Sequence, residues 1–140
     1  MDDAYDLERF VKAQAPLYEQ VVGELRAGRK RTHWMWFVFP QIAGLGRSDM
    51  ARQYAIGSLA QARAYLDHPL LGPRLRECCS LVNDLEERSA HQVFGAPDDV
   101  KFRSSLTLFA AVAPSDTLFQ ACLDQFFGGA PDPATLALIV

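Results

Sequence analysis

The stretch His33-Trp34-Met35-Trp36-Phe37-Val38-Phe39-Pro40-Gln41 holds both tryptophans of the chain. Aromatic side chains bury large apolar areas, so Trp34, Trp36 and Phe39 are predicted to fill the centre of a small helical domain. Core packing does not account for the histidine that opens the stretch, or for the basic run Arg29-Lys30-Arg31 before it. We therefore expect the two ends of this segment to form the edge of a functional site.

On both sides of this stretch, apolar residues recur at the spacing of one helix face. The stripes are Leu7, Phe10 and Val11; Tyr18, Val21, Val22 and Leu25; Leu59, Ala62 and Leu66; Leu75, Cys78, Cys79, Val82 and Leu85; Phe102, Leu106, Phe109 and Ala113; and Leu118, Phe119, Cys122, Leu123 and Phe126. No segment shows the alternation that a half-buried strand requires. The sequence therefore predicts an all-α fold, a compact bundle of about six to eight helices with no substantial sheet.

Polar residues mark several helix ends. Ser58 and Asp116 each precede an apolar stripe, and Gln61 stands three residues after Ser58, as in a capping box. Asp132-Pro133 is predicted to begin a last helix, because proline fits the first helical position. The charged stretch 84–88 is predicted to end a helix and to lead into a polar loop.

Length and composition indicate one globular domain over residues 1–140. The 140 residues are near the usual size for one hydrophobic core, and 49% of them are hydrophobic and 22% charged. A formal net charge of -3 does not fit a general nucleic-acid binder, which carries a positive excess. The longest apolar run is seven residues, 34–40, far short of the roughly 20 that cross a bilayer. We expect no general nucleic-acid binding and no membrane partner; a local basic patch is the alternative that stays open.

The three cysteines, Cys78, Cys79 and Cys122, make a poor disulfide framework and favour a reducing compartment. The acidic N-terminus does not resemble a secretory signal, so we expect a cytoplasmic location. Neither the cysteines nor the histidines have metal-ligand spacing, and no metal or other cofactor is expected. The thiols fall on apolar stripes, which predicts core positions rather than nucleophiles.

His33 is the first candidate for a catalytic role. If the segment is helical, His33 and Phe37 lie one turn apart on one face, which places the imidazole at the rim of an aromatic pocket. Histidine gains and loses a proton near neutral pH, so it can act there as a general acid or base. The alternative is a structural histidine held by hydrogen bonds.

The loop Gly44-Leu45-Gly46-Arg47-Ser48 leads into a predicted helix start, with Ser48 as the candidate N-cap. Glycines let a backbone approach an anion, and the first amides of a helix can receive phosphate or carboxylate. Gly46, Arg47 and Ser48 are therefore candidates for anion binding, together with Lys30. The loop lacks the Gly-Lys-Ser or Gly-Lys-Thr of a P-loop. The alternative is a plain tight turn.

A third candidate cluster is Asp98, Lys101 and Ser104. On a helix, Lys101 and Ser104 lie on adjoining turns, opposite the apolar stripe that contains Phe102. A lysine beside a serine can activate it as a nucleophile, although the order here is the reverse of Ser-x-x-Lys. The alternatives are a solvated polar face and small serines that allow close helix contact.

Three blocks of the sequence resemble the bacterial domain-of-unknown-function family 1810. They are Lys30 to Gln41 with Gly44-Leu45-Gly46 and Ser48; Tyr65 to Leu75; and Phe94-Gly95 with Asp98, Lys101, Ser104 and Ser105 to Phe109. The resemblance covers nearly the whole chain and implies a compact α-helical fold. It places the family's motif residues at Lys30, His33, Trp34, Trp36, Gln41, Gly46, Ser48, His68, Arg74, Asp98, Lys101, Ser104 and Thr107.

Members of that family are often labelled calpastatin, a label that does not fit this composition. Calpastatin-type inhibitors are extended, charge-rich chains that fold on their target, whereas this chain has 49% hydrophobic residues and clear helical stripes. The resemblance implies no established activity.

Two hypotheses for function follow. The first is a pocket for a small anionic or nucleotide-like ligand edged by the His33-Trp36 segment, with metal-free hydrolase or transferase chemistry if the protein is an enzyme. The predicted catalytic residues are His33, Lys101 and Ser104, and the predicted ligand-binding residues are Lys30, Trp34, Trp36, Gln41, Gly46, Arg47, Ser48, Arg74 and Asp98. The alternative is a non-catalytic module whose exposed aromatic patch docks a partner protein.

Overall fold

The predicted stripes lie on α-helices in the computed structural model, which describes residues 3–139. Ten helices follow one another within that range: α1 Glu8–Gln14, α2 Tyr18–Arg26, α3 Met35–Val38, α4 Asp49–Gln53, α5 Leu59–Asp67, α6 Leu71–Asn83, α7 Ala90–Phe94, α8 Asp98–Val112, α9 Thr117–Phe127 and α10 Pro133–Ile139. The described residues form no strand, and their one β feature is an isolated parallel bridge between Ile42 and Ile56. The all-α prediction is confirmed.

The helix count exceeds the predicted six to eight because α3 and α7 have only four and five residues. Hydrophobic periodicity cannot register an element of about one turn. Of the helices described, none has the length and apolar character needed to cross a membrane.

The predicted caps at Ser48, Ser58 and Asp116 are confirmed. Ser48 Oγ accepts a hydrogen bond from the Ala51 amide at 3.1 Å, and Ser58 Oγ accepts one from the Gln61 amide at 3.1 Å. Asp116 Oδ1 accepts from an amide in the first turn of α9. These side chains take up backbone donors that have no partner inside the helix.

The predicted polar loop after residue 88 is wrong. Ser89 and Gln92 form a complete capping box there and begin helix α7. At Ser58 the predicted box is incomplete, because the Gln61 side-chain oxygen accepts from the Gly57 amide at 2.6 Å instead of returning to Ser58. The same three-residue spacing therefore closes a box at one helix start and not at the other.

Helix α8 is the centre of the fold and packs against α5, α7, α9 and α10. Its apolar residues Phe102 and Phe109 are buried, as expected, but Ser104, Ser105 and Thr107 are buried as well. The hypothesis of a solvated polar face on this helix is therefore wrong. Their small side chains let neighbouring helices approach α8 from almost every direction.

The aromatic stretch 34–39 supplies much of the core, as predicted. Trp34 has no exposed surface, and Phe39 packs edge-to-face on Phe94 and Phe102 at ring distances of 5.8 and 5.0 Å. Trp36 is the exception, because it is only partly buried. One of the two tryptophans is thus a core residue, and the other reaches the surface.

A buried amide fixes the end of α3. Gln14 Nε2 donates to the Phe37 carbonyl at 2.6 Å and lies 3.1 Å from the Tyr65 hydroxyl. Arg74 completes this network by donating to Gln14 Oε1 at 3.4 Å. Since unpaired polar groups are costly in a core, this network specifies how α1, α3, α5 and α6 meet.

Glu24 on α2 fixes the start of the aromatic stretch. Its carboxylate accepts hydrogen bonds from the Arg31 amide at 2.7 Å, the Thr32 hydroxyl at 2.7 Å and the Trp34 indole at 3.0 Å. Burial acts to raise the pKa of Glu24, but these hydrogen bonds outweigh it and lower the pKa to about 2. The ionised carboxylate thus holds loop 29–34 against α2.

The loop after Pro40 is fixed by the bridge to Ile56. The Ile56 amide donates to the Gln41 carbonyl at 2.8 Å, and the Ala43 amide donates to the Ile56 carbonyl at 2.8 Å. Further along, Gly46 lies so close to Ala51 that a Cβ atom added at Gly46 would overlap the Ala51 methyl group. Close packing, rather than an unusual backbone angle, requires glycine here.

We expect Glu24→Gln to lower the free energy of unfolding by about 1–2 kcal/mol at neutral pH, because it removes the charge from these hydrogen bonds at a partly exposed site. Because the folded-state pKa is about 2 and the ordinary value is 4.5, the stabilisation is complete above pH 4.5 and is lost as the pH falls towards 2. Urea unfolding across this pH range measures it. Glu19→Gln, at an exposed position of α2, is the control. A difference between wild type and Glu24→Gln that stays constant with pH would contradict the prediction.

Gly46→Ala is expected to destabilise the protein by about 1–3 kcal/mol, because the new methyl group forces the loop away from Ala51. Gly23→Ala is the matched control: the added Cβ meets nothing within 4 Å on helix α2, and the substitution should stabilise by about 0.5–1 kcal/mol. Denaturant midpoints for both variants test the pair. Equal effects of the two substitutions would show that close contact at Gly46 does not matter.

Candidate functional site

Two adjoining clefts open beside the aromatic stretch. The first, the tryptophan cleft, has a volume of about 280 Å³, and Trp36, Gln41, Gly44, Gly46, Arg52 and Tyr54 are among its lining residues. The second, the lysine cleft, has a volume of about 240 Å³ and is lined in part by Gln41, Gly46, Val100, Lys101, Ser104 and Asp132. Gln41 and Gly46 belong to both, so the clefts are direct neighbours.

Gln41 stands on the ridge between the clefts. Its backbone carbonyl is used in the contact with Ile56, but its side-chain amide makes no hydrogen bond to residues 3–139. Neither atom of this amide is buried, so both are accessible from solvent. It therefore offers one acceptor and two donors to whatever enters either cleft.

Trp36 forms a wall of the tryptophan cleft. The Lys101 ammonium lies 5.2 Å from the centre of its ring, within the range of a cation-π contact. The indole nitrogen of Trp36 is buried and has no hydrogen-bond partner among the described residues. Trp36 thus offers a ring face to the tryptophan cleft. Lys101 contacts that ring and also lines the lysine cleft.

Asp98 lies between two lysines of unequal exposure. Lys30 Nζ is 2.9 Å from one carboxylate oxygen of Asp98, and only 7% of the Lys30 side chain is exposed. Lys101 Nζ is 3.5 Å from the other oxygen and is 23% exposed. The shorter and more buried pair with Lys30 neutralises Asp98, which leaves the charge of Lys101 less compensated at the edge of the lysine cleft.

Ser104 and Asp132 share the lysine cleft and contact each other. Ser104 Oγ lies 3.1 Å from Asp132 Oδ2 and 3.1 Å from the Val100 carbonyl. Asp132 Oδ2 also accepts from the Thr135 amide at 3.0 Å and the Thr135 hydroxyl at 2.5 Å. The polar side of α8 is therefore occupied by hydrogen bonds to the start of α10.

Five of the twelve predicted site residues line these clefts: Trp36, Gln41, Gly46, Lys101 and Ser104. They come from separate parts of the sequence, and the tertiary fold brings them together. The other seven lie outside the residues that line either cleft.

His33 is one of those seven, and its predicted geometry is wrong. Helix α3 begins at Met35, so His33 and Phe37 do not lie one turn apart on a shared helix. The His33 side chain is exposed, and His33 lines neither cleft.

Trp34, Lys30, Asp98 and Arg74 have contacts that account for them structurally. Trp34 is fully buried and bonded to Glu24, and the Lys30 ammonium lies 5.1 Å from its ring centre. Lys30 and Asp98 form the buried ion pair described above. Arg74 contacts Gln14 and stacks over Tyr18.

The predicted anion site at the start of α4 is taken up by the chain itself. The Ser48 hydroxyl already accepts the Ala51 amide, and α4 has only five residues. Arg47 is exposed and lines neither cleft. Gly46 is needed in this loop because the backbone packs closely against Ala51. This agrees with the alternative hypothesis, in which the loop is a tight turn.

No motif in the sequence marks Arg52, Tyr54 or Asp132 as a site residue. Arg52 lies on a helix of five residues and Tyr54 directly follows it, so no periodic stripe drew attention to them. Asp132 was recognised only as the start of the last helix. Its position before a proline gave no sign that the carboxylate would reach a cleft.

The cysteines are core residues, as predicted. All three are free and buried, and burial raises the pKa of the Cys78 thiol to about 12. Across residues 3–139, no three histidine, cysteine or acidic side chains are grouped to hold a metal ion.

Comparison with known proteins places the chain in a family. The family model described as "Protein of unknown function (DUF1810)" matches residues 4–139. The crystal structure of the conserved hypothetical protein Rv1873 from Mycobacterium tuberculosis is similar, with 57% sequence identity, a TM-score of 0.97 and 98% of each chain covered. No curated protein matches the sequence. Since the family model spans nearly the whole chain, as the sequence blocks predicted, the protein belongs to the DUF1810 family.

Proposed function

We propose that the tryptophan and lysine clefts together bind one small anionic ligand that also carries a planar group. The observation that carries this proposal is the position of Gln41, which lines both clefts and whose side-chain amide makes no hydrogen bond to residues 3–139, with Trp36 in one cleft and Lys101 in the other. A side-chain amide that has no partner among the described residues, and that lies between an aromatic wall and a cation, suits a ligand that spans both clefts.

Charge favours an anion. Lys101 lines the lysine cleft, and its contact with Asp98 is longer than that of Lys30. Arg52 lines the tryptophan cleft and is exposed. Each cleft therefore has one cation at its edge, which can pair with a phosphate or carboxylate group of the ligand.

Ring faces favour a planar group. Trp36 and Tyr54 both line the tryptophan cleft, whose volume is about 280 Å³. Aromatic side chains stack well on flat ligand groups, including heteroaromatic rings. The two clefts together fall within the usual range for small-molecule sites, about 300–1,000 Å³.

The geometry supports binding more strongly than catalysis. Ser104 is 2% exposed, and its hydroxyl is engaged by the Val100 carbonyl and Asp132. A nucleophilic serine needs an available base and access to substrate. We therefore propose a binding role; product formation in the same samples would instead assign metal-free hydrolase or transferase chemistry to the clefts.

The test is thermal stabilisation by a panel of nucleotides, ADP-ribose, sugar phosphates and dicarboxylates, with tryptophan fluorescence as a second readout. Lys101→Met and Gln41→Ala should each weaken binding of the stabilising compound about tenfold, because each removes a polar group that contacts it. Trp36→Phe should abolish most of the fluorescence response, since Trp34 is fully buried away from the clefts.

Two control variants test whether the effects belong to the clefts. Lys12→Met removes a cation from an exposed position on α1, and His33→Ala removes the exposed imidazole. Both should bind the stabilising compound as the wild type does. Failure of the whole panel to stabilise the protein, or equal weakening by Lys12→Met and Lys101→Met, would contradict the proposal.

A protein-interaction module is the second candidate, and exposed apolar residues beside the two clefts favour it. Val100 lines that cleft and is 58% exposed, and Leu138, which lies over Gly44, is 46% exposed. Exposed apolar groups of this kind are typical of protein contacts. Leu138 lines neither cleft, so Leu138→Ser should weaken capture of a defined partner if this candidate is right, and should leave small-ligand binding largely intact if the first one is.

A further inference from the structure

Asp132 occupies an unusual position for a residue that begins a helix. The residue is only 9% exposed, yet it lines the lysine cleft together with Lys101. The cleft therefore carries a carboxylate as well as an ammonium group. A site for simple anions would gain nothing from a fixed negative charge on its wall.

The two oxygens of Asp132 have different surroundings. Oδ2 accepts hydrogen bonds from the Thr135 amide, the Thr135 hydroxyl and Ser104. Oδ1 accepts none from residues 3–139, and it is not a buried unpartnered atom. Asp116, which caps α9, differs: its Oδ1 accepts from Leu118 and its Oδ2 from Arg76. Helix capping thus accounts for Oδ2 of Asp132, whereas Oδ1 has no hydrogen-bond donor among the described residues.

The protein holds this carboxylate rigidly. The Asp132 amide donates to Thr107 Oγ1 at 2.8 Å, and Arg103 donates to the carbonyls of Ala130 and Pro131 at 3.0 Å each. These bonds tie the segment before α10 to α8 directly before the carboxylate. An acceptor fixed in this way is suited to recognition, because little side-chain freedom remains to be lost on binding.

We propose that Asp132 Oδ1 accepts a hydrogen bond from the ligand, so that the ligand in the lysine cleft carries an N–H or O–H donor next to its negative group. This inference rests on the proposed function and narrows its ligand class. Lys101 pairs with the anionic group, and Asp132 selects ligands in which a hydroxyl or amine lies beside that group, as it does in hydroxyalkyl phosphates, aminoalkyl phosphates and hydroxy acids. Simple alkyl phosphates and dicarboxylates lack the donor and bind less tightly.

The experiment compares pairs of probes that differ only in the donor. Glycerol 3-phosphate and n-propyl phosphate test hydroxyl donors, 2-aminoethyl phosphate and ethyl phosphate test an ammonium donor, and malate and succinate repeat the hydroxyl comparison on a carboxylate. Binding to the full chain is measured by NMR titration. In at least one pair, the member with the donor is expected to bind about fivefold more tightly to the wild type.

Asp132→Asn tests the residue directly. Asparagine caps helices as well as aspartate does. The three donors around Oδ2 will hold the amide oxygen in its place, so the amide NH₂ will face the cleft. This variant should lose the preference for the donor-bearing probe and bind the plain alkyl phosphate as well as or better than the wild type. Thr135→Val is the structural control: it removes one bond to Oδ2, should lower stability, and should keep the preference.

The outcomes separate this inference from the proposed function. If both members of every pair bind equally well to the wild type, or if Asp132→Asn keeps the preference, the role of Asp132 is refuted and anion binding in the clefts stands. If no probe of any pair binds, the inference fails, and the proposed function is then decided by the panel of nucleotides and ADP-ribose, whose rings also reach the tryptophan cleft. The ¹³C resonance of the Asp132 carboxylate in the wild type gives a second readout that does not depend on how the variant folds. It should shift with the donor-bearing probe and not with its partner, and the reverse result would overturn the proposal.

Discussion

The ionised carboxylate of Glu24 is the interaction on which the rest of the structure depends. It accepts the amides of Arg31 and Thr32, the Thr32 hydroxyl and the Trp34 indole. These bonds turn loop 29–34 back against α2, and α3 begins one residue later at Met35. Because the indole of Trp34 is bonded at a fixed point, its ring enters the core in one orientation. The position of Trp36, two residues further on, follows from that constraint.

Two lysine-tryptophan pairs flank Asp98, and burial separates their roles. The Lys30 ammonium lies 5.1 Å from the ring centre of Trp34, and the Lys101 ammonium lies 5.2 Å from that of Trp36. The Lys30 side chain is largely buried, and its charge is neutralised by Asp98. The Lys101 side chain is more exposed and reaches the surface between the clefts. The same two residue types thus stabilise the fold in one place and form a cleft wall in the other.

Helix α8 makes the clefts possible because it is buried on its polar side as well as its apolar side. Ser104 and Thr107 bond the segment at the start of α10 instead of facing water. That segment in turn brings Asp132 to the lysine cleft, while the next turn back on α8 supplies Lys101. Helix α8 therefore contributes Lys101 to the lysine cleft directly, and its hydroxyl groups position Asp132 there.

The sequence by itself determined the helical stripes, most helix caps, the buried cysteines and the all-α fold, because these depend on residues a few positions apart. It also identified Gln41 and Lys101 as candidates, since core packing explained neither. Only the tertiary structure decided that His33 faces solvent, that Lys30 is enclosed and that Asp132 reaches a cleft. Whether a polar side chain is free or already paired depends on partners distant in the sequence. For Asp132 those partners lie on a helix about 25 residues earlier, a contact that no local pattern encodes.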